Sequence, residues 1–212
     1  EVLEQHKNSV TFVQRSDENT KRDFPFDYEL KIKYTINGDT VTNEYIVTNT
    51  GEDKLPFVIG GHPAFNCPLA KNEKFEDYKV VFDKKITKPC LRPNHHTGLV
   101  NVFEKFDEMH GSDTLSLVHE LFEEKDALIF ENCEAKSATL IGKSGKGVKI
   151  EFQDMNNLLI WSAVGSAPFV ALEPWTGLAS CNDEDGLFEH KRGMTVLEKD
   201  ETASFKFKIT MI

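Results

Sequence analysis

The sequence predicts an all-β protein, a large antiparallel β-sandwich with little helix. Three observations carry that expectation. Apolar and polar residues alternate in short runs along most of the chain. Gly, Pro, Asn and Asp separate those runs at fairly even spacing, as in sandwiches and barrels. No window holds a helical period over ten residues; the best lies around 119–125 and amounts to one or two turns.

The elements follow in order. Glu1 enters mid-pattern and residues 9–13 already read as a strand, so the sequence is expected to begin partway into a larger protein. In 26–36, Phe26, Tyr28, Leu30, Ile32, Tyr34 and Ile36 share one face, and Asp27, Glu29, Lys31, Lys33 and Thr35 share the other. That alternation is a half-buried strand. Asn37-Gly38 suits a type I′ turn, after which Val41, Asn43, Tyr45 and Val47 alternate with Thr42, Glu44, Ile46 and Thr48 in the returning strand. A turn at 50–53 leads to a strand over 55–59. Further strands are expected over 78–82, 99–103, 115–121, 127–130, 138–141, 148–152, 158–163, 169–172, 195–197 and 204–209, with a turn over 143–147. Residues 158–163 are apolar but for Ser162, which fits a strand buried on both faces. Repeats and linkers are absent, so 1–212 is expected to be one domain.

Composition narrows the function. With 28% charged and 39% hydrophobic residues the chain is of the soluble globular type. Its apolar runs fall far short of the ~20 residues a membrane helix needs. A net charge of −10 repels phosphate backbones and anionic lipid, which argues against nucleic acid or membrane as partners and leaves a neutral sugar open. Cys67, Cys90, Cys133 and Cys181 make no C-x-x-C pair and are expected to be free thiols in a reducing cytoplasm.

The chemistry concentrates in two islands. In Phe57-Val58-Ile59-Gly60-Gly61-His62-Pro63-Ala64-Phe65, an imidazole stands between a Gly pair and a Pro. The glycines admit close approach of other groups, and Pro63 keeps His62 out of the helical region. Imidazole, with a reference pKa of about 6.5, exchanges protons near neutrality. In Leu172-Glu173-Pro174-Trp175-Thr176-Gly177, a carboxylate sits in an apolar stretch, where burial would raise its pKa towards the range of a useful base. Against these readings stand a structural His and a capping or salt-bridged Glu. Trp161 and Trp175 offer faces for a pyranose ring, although most tryptophans are core. Asp126 could hold a sugar hydroxyl or orient His62, and Asn66 could donate to a hydroxyl; either could instead only shape a turn. His95-His96 lies in a loop without further ligands for a metal, and the common nucleotide, hydrolase and metalloprotease motifs are missing.

Four stretches carry a family resemblance: Arg22-Asp23-Phe24-Pro25-Phe26-Asp27-Tyr28, Gly60 to Leu69, Asp126 to Phe130, and Leu172 to Gly177. Together they resemble the aldose 1-epimerases, most of all the bacterial galactose-mutarotase-related, LacX-like branch. The resemblance implies a β-supersandwich with a sugar cleft and interconversion of the α and β anomers of a hexose, galactose or glucose, with no cofactor. It implies His62 as general acid, Glu173 as general base and Asp126 as a contact to sugar hydroxyls. A cytoplasmic monomer or homodimer is expected. The family's earlier His-Gly-x-x-Arg segment, which adds a second His and an Arg, has no counterpart here. Other readings are a binding module of the same fold, a hexose-phosphate mutarotase gripping phosphate with Arg22, Arg92 or Lys54, and a glycoside hydrolase pairing Glu173 with Asp126.

Overall fold

The structure is a computed structural model, and it describes residues 1–94, 96–123 and 126–212. Strands dominate: β1 (Val2–His6), β2 (Ser9–Arg15), β3 (Tyr28–Asn37), β4 (Thr40–Asn49), β5 (Leu55–Phe57), β6 (Ala64–Asn66), β7 (Tyr78–Phe82), β8 (Cys90–Pro93) and β9 (Val100–Phe106). They continue with β10 (Thr114–Ser116), β11 (Ala127–Phe130), β12 (Ser137–Gly142), β13 (Gly147–Glu151), β14 (Asn157–Trp161), β15 (Phe169–Trp175), β16 (Thr195–Leu197) and β17 (Thr202–Met211). Two short helices, α1 (Thr20–Asp23) and α2 (Glu120–Glu123), lie in the connections.

The strands build a nine-stranded sheet, β1-β2-β3-β4-β17-β13-β12-β7-β10, a six-stranded sheet, β6-β15-β14-β11-β8-β9, and a small pair, β16-β5. All these pairings are antiparallel. The large sheets pack face to face. Tyr45, Val80, Leu140, Ile150 and Phe207 of one meet Leu128, Phe130, Leu158, Ile160, Val170 and Leu172 of the other in a common core. The all-β, antiparallel, helix-poor class expected from the sequence is the one observed.

Local chemistry explains where the expected elements shift. Asn37 pairs with Thr40, so the hairpin loop is Gly38-Asp39, one residue later than Asn37-Gly38. Gly38 takes φ +57° while Asp39 does not turn positive, so the type I′ turn, which needs positive φ at both central residues, is not formed. The strand expected over 115–121 stops at Ser116, and the apolar residues that follow serve a helical turn that buries Phe122. The expected helical end at Glu124 and Lys125 lies outside the described residues. Strands β1, β6 and β8 were not foreseen; β6 and β8 are only 3 and 4 residues long, too short for an alternation to register.

Strands β11, β14 and β15 are covered on both faces. Their inward residues enter the common core, and their outward residues, Ala127, Ile129 and Leu159, form a second apolar cluster with Leu91, Val100 and Leu178. This outer layer carries the candidate site.

Candidate active site

The sequence around His62 continues β6 backwards along β15. Leu172 N–H donates to Pro63 O at 3.1 Å, Gly61 N–H to Pro174 O at 3.0 Å, and Thr176 N–H to Ile59 O at 2.9 Å. Gly60 bridges Trp175. With Ala171 opposite Ala64 in the same register, His62 stands directly opposite Glu173. The rungs on either side carry the hydrogen bonds, so His62 and Glu173 form a non-hydrogen-bonded pair. That is the position where cross-strand side chains approach most closely. His62 Nε2 lies 3.3 Å from Glu173 Oε1.

Pro174 fits this central strand because its missing donor is replaced. A regular ladder would send the N–H of residue 174 to Gly61 O; here the Trp175 indole N–H reaches that oxygen at 3.1 Å. The glycine pair answers to space. A Cβ on Gly60 would stand 2.3 Å from Trp175 Cδ1, and one on Gly61 would stand 2.5 Å from Phe207 Cε1. The closeness that glycine permits is thus used by two aromatic rings. Buried Asn157 ties down the far end, donating to Thr176 O at 3.1 Å and Gly177 O at 2.9 Å.

Around this pair lies a hollow of about 270 Å³. Ile129, Leu159 and Ala127 form its floor, Trp161 and Trp175 flank it, and Pro93, Val100 and Ala179 wall it. A second lobe of about 310 Å³ adjoins it, sharing His62, Trp175 and Ala179. Together they approach the size of small-molecule clefts.

The two titratable partners differ sharply in environment. Glu173 is 3% exposed and His62 57% exposed. Burial, and then the negative charge of Asp126, push the Glu173 carboxyl up to about 7. A carboxyl in that range beside an imidazole can take and return a proton near neutral pH.

The structure brings His62, Glu173, Asp126, Trp161 and Trp175 to one hollow. Asn66 is not among its lining residues. It is exposed on edge strand β6, paired with Phe169 two rungs beyond Ala171. His95 lies outside the described residues, and His96 is exposed. The hollow's walls were missed in the sequence. Pro93 and Gly98 carried only a loop signal, and Ala179 had none. The four cysteines are free and buried.

Comparison with known proteins agrees with this architecture. The family model for aldose 1-epimerase matches residues 1–210. Protein LacX, plasmid, of Lactococcus lactis subsp. lactis is 35% identical over 213 residues, covering 99% of this chain and 70% of that protein. The crystal structure of a galactose mutarotase related enzyme from Lactobacillus acidophilus has a TM-score of 0.91 at 27% identity, covering 100% of this chain and 70% of the other. A galactose mutarotase-like protein from Lactobacillus casei has a TM-score of 0.86 at 28% identity, covering 100% and 72%. The fold is therefore that of the galactose mutarotase-like proteins. The chain belongs to the aldose 1-epimerase family.

Proposed function

We propose that residues 1–212 act as one sugar-binding domain that interconverts the α and β anomers of a neutral aldohexose, glucose or galactose. The observation that carries this reading is the His62–Glu173 pair, 3.3 Å apart, at the wall of a hollow flanked by two indoles. Glu173 takes the proton of the anomeric hydroxyl while His62, protonated, gives one to the ring oxygen. The C1–O5 bond breaks and C1=O forms. Rotation about C1–C2 presents the other carbonyl face. O5 then attacks C1, its proton returns to His62, and Glu173 returns the other to O1. Both oxygens hang on C1, so adjacent acid and base groups reach them together. Each positioned transfer is worth roughly 10²–10⁴-fold, and orientation in the cleft adds to it.

A neutral sugar is favoured over a hexose phosphate by where the cations lie. Arg92 is buried and holds Leu121 O at 3.0 Å and Glu108 Oε1 at 2.7 Å. Lys54 pairs with Glu198 at 2.6 Å, and Arg22 is exposed on α1. None of the three lines the hollow. Polarimetry on fresh α-D-glucose and α-D-galactose tests the proposal. His62→Ala and Glu173→Ala should each slow anomer exchange more than ~100-fold; near-normal rates in either would remove that residue from the mechanism.

A further inference from the structure

Trp161 sits where a sugar platform would be expected, yet its contacts are already spent on protein groups. Its indole N–H donates to Asp126 Oδ1 at 2.6 Å, a short bond to a charged acceptor. Its ring meets the His62 imidazole edge-on, centroids 5.6 Å apart at 84°. On its other side it packs against Phe169, 5.4 Å away at 58°. Asp126 itself is held in the left-handed region, φ +59°, with its backbone N–H on Phe122 O at 3.0 Å. Aspartate tolerates that conformation better than most residues. One indole therefore links the two groups that flank Glu173 in this hollow: the imidazole opposite it and the second carboxylate.

We propose that Trp161 is a positioning residue, whose N–H fixes the Asp126 carboxylate beside Glu173 while its ring edge sets the angle of the His62 imidazole. This rests on the mutarotase reading of the site but concerns how its groups are held, and part of its test needs no turnover. The physical reason lies in charge. Among the described residues no cation pairs with Asp126, so a neutral N–H anchors its carboxylate and leaves that charge acting on the buried carboxyl. The charge then adds to burial in keeping Glu173 protonated to higher pH. The charged or titratable groups facing Glu173 in the hollow are, among the described residues, His62 and Asp126; β14 presents Leu159 and Trp161.

The substitution Trp161→Phe separates the roles. Phenylalanine keeps a flat face for a sugar but has no N–H. A platform role predicts a changed KM with kcat and its pH profile intact. Positioning predicts that kcat falls about tenfold, the worth of one hydrogen bond to a charged group, with KM nearly unchanged. It also predicts that the acid limb moves to lower pH as the freed Asp126 swings towards solvent. Asp126→Asn should shift that limb the same way, to between 4.5 and about 7, because burial remains. Carboxyl ¹³C NMR titration of Glu173 in the wild type and both variants reads the same shift without any sugar. The chain has two tryptophans, so the indole N–H region of a ¹⁵N spectrum holds two signals; Asp126→Asn should move the Trp161 signal. A Glu173 midpoint that stays near 7 in Trp161→Phe, with only KM altered, overturns the proposal. A wild type that does not exchange anomers would defeat the mutarotase reading, while the NMR midpoints still decide the positioning role.

Discussion

Replacing Glu173 by Gln should make the protein more stable at pH 8 and leave its stability near pH 4 unchanged. The carboxyl is 3% exposed and is raised from 4.5 to about 7 by burial and by Asp126. Because the folded value lies above the unfolded one, the folded chain binds more protons between those two pH values. Stability therefore falls as pH rises through that window, and the loss is complete above about 7. At about 1.4 kcal/mol per pH unit, keeping this group charged in the fold costs about 3 kcal/mol. Attraction to His62 recovers little, since that ring is 57% exposed and its charge is screened. The neutral amide of Gln escapes the cost at every pH. Urea unfolding of both proteins at pH 5, 6, 7 and 8 measures the difference. The Gln variant should gain steadily, reaching about 3 kcal/mol at pH 8, equivalent to a melting shift of about 6–12 °C at this chain length, while losing the carboxylate proposed as the base. Equal stabilities at pH 8 would show that the fold does not bear this strain and that Glu173 titrates like an exposed carboxylate.

Two further outcomes test how the loop is held. Gly60→Ala places a methyl 2.3 Å from Trp175 Cδ1, so it should cost about 1–3 kcal/mol and displace the indole shared by both lobes. Chemical unfolding and a shifted tryptophan emission would register it; a variant indistinguishable from wild type in both would mean the ring moves aside freely. Asn157→Ala strands Thr176 O and Gly177 O, along with the Asn132 N–H that donates to Asn157 Oδ1 at 2.9 Å. The expected loss is about 2–4 kcal/mol by denaturant unfolding, and a loss below ~0.5 kcal/mol would show that water replaces the amide.

The best-placed strands carry a local apolar signal of their own, alternating in Tyr78–Phe82 and continuous in Ala127–Phe130. Tyr78–Phe82, Ala127–Phe130 and Thr195–Leu197 match residue for residue. Residues 115–121 misled because a helical turn burying Phe122 satisfies the same apolar residues as a strand. In the site, Gly60-Gly61 and Pro63 marked His62, and the apolar flanks of Glu173 marked a buried carboxyl. What joins them is a register between residues more than a hundred positions apart, set by ladder bonds that no local pattern encodes. Trp161 was read by its face, as a platform. Its bond to Asp126 depends on a left-handed turn and on the packing of β11 against β14, both invisible along the chain. Asn66 followed the His62 segment in sequence, but the hollow ends before reaching it.

Strand β17 pairs with β4 on one side and with β13 on the other, and it alone joins the two halves of the nine-stranded sheet. On the ribosome, β1 to β4 emerge together and can close their hairpins at once. The free edge of β4 must then stay open while everything between Asn49 and Thr202 is made. At roughly 5–20 residues per second that wait lasts roughly 8–30 seconds. Throughout it the ten-residue β4 keeps an open hydrogen-bonding edge that a neighbouring nascent chain could pair with, until β17 arrives to cover it.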